Sequence, residues 1–280
     1  MKIINILSCA AIELEKAKIE NNINEARLLL AHILGKSIEW IMIHINDEIS
    51  DKDMSSFDEL VKRRISGEPF QYIIGSCGFM GQEFIVNKNV LVPRADTEVW
   101  VERVIELAKE IQANNILDLC TGSGCIAITI KKMVKDASVC ASDISNGALD
   151  VAIENAKRNE TDIEFICSDL FENFPESKFD IIVSNPPYIP REEIKKMARD
   201  VQNEPILALD GGIDGLDFYR KIVRDSKNFI KENGYLAFEF GYDQAQQVSD
   251  ILVENGFGIY EIIKDYSGNT RAIISKKEKG

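Results

Sequence analysis

"NILDLCTGSGCIAI", residues 115–128, is an apolar run, a glycine turn and a second apolar run that follows at once. Strand, glycine loop, then helix is how a nucleotide-binding α/β sheet begins. Gly122 and Gly124 let the backbone turn tightly and approach a ligand, and the free N–H groups of the next helix point at the same place. With Ala127 the stretch satisfies G-x-G-x-x-A, which suits a nicotinamide or flavin dinucleotide. Further on, "CASDIS" (140–145) ends a second strand at Asp143, whose carboxylate can accept from both hydroxyls of a ribose. That fits NAD and S-adenosylmethionine alike. Asp118 tilts the balance, because a dinucleotide loop usually carries glycine directly after the strand, whereas a carboxylate there orders the loop and stands near a cationic amino-acid ligand. Cys120, Thr121 and Ser123 complete the expected cofactor loop, and "SDLF" brings Asp169 and Leu170 toward an adenine.

Outward from this stretch the chain alternates. The patterns predict helix 98–112 with Thr97 as its cap, strand 115–119, helix 125–135, strand 138–142, helix 146–158, and strands 163–167 and 179–184. Helix 216–232, strand 235–240, helix 243–255 and a strand pair near 259–264 and 271–275 follow. Such alternation means a doubly wound α/β fold. Residues 1–68 read as helices only: "INEARLLLAHILG" has apolar residues at helical spacing, Asn22 as a cap and Gly35 as the stop. Between them, 69–95 is punctuated by glycine and β-like ("YIIG", "GFMG", "EFIVN"), which suits a hairpin linker. The expected organisation is therefore 1–68, 69–95 and 96–280.

"FDIIVSNPPYIP" (179–190) ends a buried strand at Asn185-Pro186-Pro187-Tyr188. The prolines have no N–H to donate and hold the residues before them extended, so the chain stiffens where the strand leaves the sheet. A planar –NH₂ group needs acceptors for both hydrogens and a lone pair aimed at its electrophile. The Asn185 side-chain oxygen and the Pro186 carbonyl supply the acceptors in a geometry fixed beforehand, and Tyr188 can lie flat against the target. Asn185, Pro186 and Tyr188 are thus the candidate catalytic residues, with Pro187 completing the substrate site. The target nitrogen belongs to adenine, guanine or glutamine.

Composition narrows the classes. Of 280 residues, 45% are hydrophobic and 28% charged, as in a folded soluble chain, and no apolar run is long enough to span a membrane. "MKIINILSCAAIELEK" imitates a lipoprotein signal but soon meets Glu13 and Glu15, so a cytoplasmic protein is expected. The six cysteines form no Cys-x-x-Cys pair and the two histidines, His32 and His44, lie early, which argues against a metal site. A net charge of −13 weighs against a nucleic-acid substrate. Residues 1–75 hold nine basic and twelve acidic side chains, so most of the excess falls later.

Over nearly its full length the chain resembles the HemK-like peptide-chain release factor glutamine methyltransferases. "GEPFQYIIG" (67–75), "LVPRADTE" (91–98), "DLCTGSGCIAI" (118–128), "SNPPYIP" (184–190), "EPILALDGGIDGLDFYR" (204–220) and "DYSGNTR" (265–271) carry the resemblance. It implies a small helical N-terminal domain, a β-hairpin and a Rossmann-like seven-stranded methyltransferase domain. It also implies methyl transfer from S-adenosylmethionine to the side-chain amide of the Gly-Gly-Gln glutamine of class I release factors. Asp118, Gly122, Gly124, Asp143 and Leu170 would shape the cofactor site, and Asn185–Tyr188 the glutamine site. Cys120 departs from the family, which more often has glycine there. Arg94 and Glu98 are candidates either for function or for an interdomain salt bridge. The alternatives are a DNA or RNA exocyclic-amine methyltransferase, a dinucleotide oxidoreductase, and a binding scaffold without turnover.

Overall fold

A computed structural model describes residues 1–174 and 178–278, so positions 279 and 280 of the expected 96–280 domain lie outside it. Apolar residues at helical spacing build α1 (Ile3–Lys16), α2 (Asn22–Leu34), α3 (Ile38–Ile43) and α4 (Asp51–Ile65). The hydroxyls of Ser37 and Ser50 cap α3 and α4, accepting from the N–H of Trp40 and Asp53. Gly35 ends α2 at φ 60°, as its sequence suggests, but Asn21 rather than Asn22 holds the cap position. Leu14, Leu29, Leu30 and Phe57 sit in a core of these helices.

α5 (Phe70–Ile74) corrects the β-like reading of "YIIG", which is the end of a short helix stopped by Gly75 at φ 83°. Five residues are too few for a helical period to declare itself. Met1–Gly75 pack as one unit together with a distant segment, Ala198–Asn203. Arg64, only 8% exposed, explains the recruitment of that segment, pairing with Glu25 at 2.7 Å and Asp200 at 3.2 Å. Asn203 Nδ2 adds a bond of 2.9 Å to the Gly67 carbonyl.

Ser76–Met197 and Glu204–Gly280 form the second unit. It opens with the expected hairpin, β1 (Ser76–Phe79) and β2 (Gln82–Ile85), closed by Met80 and Gly81 at φ 49° and 73°. Positive φ at both loop residues is what a type I′ turn requires. Then come α6 (Ala95–Glu110), β3 (Asn115–Leu119), α7 (Cys125–Met133), β4 (Ser138–Asp143), α8 (Asn146–Arg158), β5 (Glu164–Cys167) and β6 (Phe179–Ser184). The short helices α9 (Arg191–Ile194) and α10 (Arg199–Gln202) precede α11 (Asp217–Ser226), β7 (Ile230–Glu239), α12 (Ala245–Glu254), β8 (Phe257–Lys264) and β9 (Thr270–Lys277); α10 lies in the segment that packs with the first unit.

The seven-stranded sheet runs β5-β4-β3-β6-β7-β9-β8, parallel from β5 to β7, with β9 antiparallel to both its neighbours. Alternate side chains leave on opposite faces. Ile181 and Val183 of β6 join the core that holds Trp100 and Val104, while Ile182 joins Tyr219 and Ile222.

Two expectations need correction. α6 starts at Ala95, so Thr97 is a buried residue of its first turn and not its cap. α11 stops at Ser226 and β7 starts at Ile230, not 235; the polar Lys231-Glu232-Asn233, with Asn233 at φ 63°, sits in a register shift of that strand.

Candidate functional site

Strand order reverses between β3 and β6, and α/β sheets bind ligands at the carboxyl ends of strands at such a switch. A cleft of about 1250 Å³, counted to its open mouth, lies there. Cys120, Thr121, Gly122, Ser123, Asp143, Asp169, Leu170 and Asn185 all line it, as does Pro187. Asp118, Gly124, Pro186 and Tyr188 are neighbours in sequence of these residues but are not among those that line it.

Asp118 is fully buried at the end of β3. Its Oδ2 accepts from the Thr121 hydroxyl at 2.6 Å and the Ala127 N–H at 3.2 Å, which ties the loop to the start of α7. Its Oδ1 is buried with no hydrogen-bond partner among the described residues. Burial, opposed by those two bonds, pushes the carboxyl up to about 7. Cys120, Gly122 and Gly124 have φ of 60°, 56° and 78°. Glycine adopts that region freely; Cys120 does so at a strain of about 1–2 kcal/mol. A Cβ on Gly124 would press on Ala152 at 3.1 Å, so this glycine serves helix packing. A Cβ on Gly122 would meet nothing within 4 Å, so the space beside it belongs to the cleft.

Asp143 receives the Gly122 N–H on Oδ2 and the Ser145 N–H on Oδ1, each at 2.9 Å. Each oxygen keeps lone pairs for a ligand hydroxyl. Burial raises this carboxyl too. Asp169 is exposed at the mouth, and Leu170 is buried at φ 49°.

On the other side of the cleft, Ser184 fixes the end of β6 by donating to the Leu119 carbonyl at 2.8 Å. Asn185 follows, half-buried, its amide without a protein hydrogen bond among the described residues. Tyr188 is half-buried against the core of α11 and α12, and burial, then the Glu239 carboxylate, push its phenol above the usual range. Glu239, 2% exposed, accepts from the Thr97 hydroxyl at 2.6 Å and the Trp100 indole at 2.8 Å.

Several wall residues were not singled out as site residues by reading the sequence, although Thr97, Leu207 and Phe218 lie inside stretches that carry the family resemblance. Thr97, Leu207, Phe218 and Lys221 line the cleft. The glycine-dense "DGGIDG" (210–215) was the available signal for its neighbourhood, since adjacent glycines mark close backbone approach. Arg94 pairs with the buried Glu204, and Glu98 accepts the Met80 N–H at 2.9 Å; both partners lie within the second unit.

Residues 5–75 match the family model "PrmC N-terminal domain" and residues 97–212 match "Methyltransferase small domain". The chain is 40% identical to a protein of Thermodesulfovibrio yellowstonii named release factor glutamine methyltransferase, over 94% of this chain and 95% of that one. A namesake from Clostridium acetobutylicum is 39% identical, covering 98% of each. A bifunctional methyltransferase of Rickettsia felis is 39% identical over 96% of this chain, which spans only 57% of that longer protein. Among solved structures, a methyltransferase of Pyrococcus furiosus matches at TM-score 0.54 and 18% identity, covering 72% of this chain and 92% of that one. A ribosomal protein L11 methylase of Lactobacillus delbrueckii matches at TM-score 0.50 and 25% identity, over 65% of this chain and 79% of that one.

Proposed function

The chain belongs to the release factor glutamine methyltransferase family, and from that premise we propose that it methylates the side-chain amide nitrogen of the glutamine in the Gly-Gly-Gln motif of class I peptide-chain release factors. The observation that carries the reading is one cleft lined by both the Gly122–Asp143 pair and Asn185. When bound, S-adenosylmethionine supplies a methyl group on a positively charged sulfur. The residues fit it: Asp143 offers free lone pairs to ribose hydroxyls, Gly122 leaves its side open, and Asp118 orders the loop through Thr121 and Ala127.

Asn185 Oδ1 and the Pro186 carbonyl accept the two hydrogens of the glutamine amide and turn its nitrogen lone pair into the cleft. Those acceptors are weak bases, so the proton released on methylation passes to solvent. Tyr188 backs this turn from the apolar side and keeps water from it. The helical unit supplies docking surface for the protein substrate, with Met42 and Ile43 of α3 exposed. Its acidic chain favours a basic protein partner over nucleic acid.

Mass spectrometry of an intact release factor after incubation with the protein and S-adenosylmethionine tests the reading. One added methyl on the Gly-Gly-Gln glutamine, absent from a Gln→Glu factor, is expected. Labelled methyl appearing in DNA or ribosomal RNA instead would overturn it.

A further inference from the structure

Behind the Asn185–Tyr188 turn lies a polar strut. Gln244, 6% exposed, precedes α12. Its Nε2 donates to the Tyr188 carbonyl at 2.9 Å and to the Gly215 carbonyl at 3.4 Å, and its Oε1 accepts the Gly241 N–H at 2.9 Å. Two carbonyls on the nitrogen side and one N–H on the oxygen side fix which way the amide points. Met, Glu or Leu could fill the same volume; only an amide satisfies all three partners.

The 210–215 loop presses on the same backbone. A Cβ on Gly215 would stand 2.3 Å from the Tyr188 carbonyl oxygen and 2.6 Å from Gln244 Nε2, and one on Gly211 would stand 2.8 Å from Pro187 O and Tyr188 Cα. Backbone bonds stitch the two segments: Ile189 N–H to Leu209 O at 3.0 Å, Gly211 N–H to Ile189 O at 2.9 Å, and Arg191 N–H to Gly212 O at 2.9 Å. Proline stiffness fixes φ at Pro186 and Pro187 but does not reach the Tyr188–Ile189 peptide plane. That plane is held from both sides, by Leu209 on its N–H and by Gln244 on its carbonyl.

We propose that Gln244 is a positioning residue for the methyl transfer, holding the Tyr188 carbonyl so that Asn185 and the Pro186 carbonyl face the cleft at a fixed angle. The proposal rests on the methyltransferase reading above. Gln244 is not among the residues that line the cleft, so its effect belongs to turnover and not to cofactor affinity; displacing reacting groups by about 1 Å costs on the order of 10²-fold.

Two variants separate positioning from plain support. Gln244→Met keeps the volume and loses all three bonds. Gln244→Glu keeps an acceptor for the Gly241 N–H but has no donor for Tyr188. Both are expected to lower kcat by roughly 10- to 100-fold while the KM and Kd for S-adenosylmethionine stay within about threefold of wild type. Amide exchange at Ile189 and Arg191 is expected to quicken about tenfold or more, with Gly122 and Ser145 unchanged. Near-normal kcat in Gln244→Glu would assign the side chain to the Gly241 turn alone and overturn the proposal. So would melting or loss of cofactor binding in step with kcat in both variants. The exchange measurement needs no substrate, so a wild-type protein that fails to methylate release factor would sink the functional reading while the exchange at Ile189 and Arg191 still decides the strut.

Discussion

Gly122 is tied to Asp143, 21 positions along the chain, whereas Tyr188 is tied to Gln244, 56 positions along. The two sides of one cleft are thus built on different scales. On the Gly122 side, Asp118 holds Thr121 and Ala127, three and nine positions away, and a short stretch supplies nearly all of its own order. The Asn185 side borrows its order from Gln244 ahead of α12 and from the 210–215 loop. A locally ordered loop can be read from a motif. A turn held from a distance shows its residues but hides what aims them.

If the sides divide labour as they divide their supports, Asn185→Ala should lower kcat by about 10²-fold or more, comparable to loss of one preorganised catalytic hydrogen bond, with the fold kept. Rates and circular dichroism on the same sample check it; near-normal turnover would dissolve the distinction. Asp143→Ala should act on the other side, weakening S-adenosylmethionine binding by roughly 1.5–3 kcal/mol, the range for hydrogen bonds to a charged group. Calorimetric titration measures this, and an unchanged affinity would move the ribose elsewhere.

The last effect expected is on stability against pH. The Asp118 carboxyl is raised from 3.8 to about 7, so between those values the folded protein binds a proton that the unfolded chain releases. Stability contributed by that proton is full below 3.8, falls as pH rises and is gone above about 7, at no more than about 1.4 kcal/mol per pH unit. Asp143 and Glu239, also raised, slope the same way. Urea unfolding of wild type and Asp118→Asn at several pH values isolates the Asp118 share, which should vanish in the variant; parallel curves would show the buried oxygen to be satisfied.

The same contrast of scale decides what the sequence revealed. β3, α8 and β6 fall on the residues their patterns indicate, because each is a long apolar run or a clean helical period. Asp118, the glycines and Asp143 were legible since their partners are near in sequence. The Thr97–Glu239 bond, 142 positions apart, and the Arg64–Asp200 pair, 136 apart, leave no local trace. Thr97 looked like a cap because threonine before a helical pattern usually is one; the buried Glu239 claimed its hydroxyl instead. Residues 230–232 passed for a helix end because polar residues in a register shift have neither period.

The pairing of Arg64 with Asp200 also sets an order of events during synthesis. A chain translated as far as Gly75 holds the sequence of α1 to α5, yet Ala198–Asn203, which completes that unit, is not translated until on the order of ten seconds later. Until then Arg64 has Glu25 as its carboxylate partner but lacks Asp200, and the Gly67 carbonyl lacks Asn203. The amino-terminal helices therefore reach their final packing only after β3 to β6 have been made. A unit that is first in sequence is finished late.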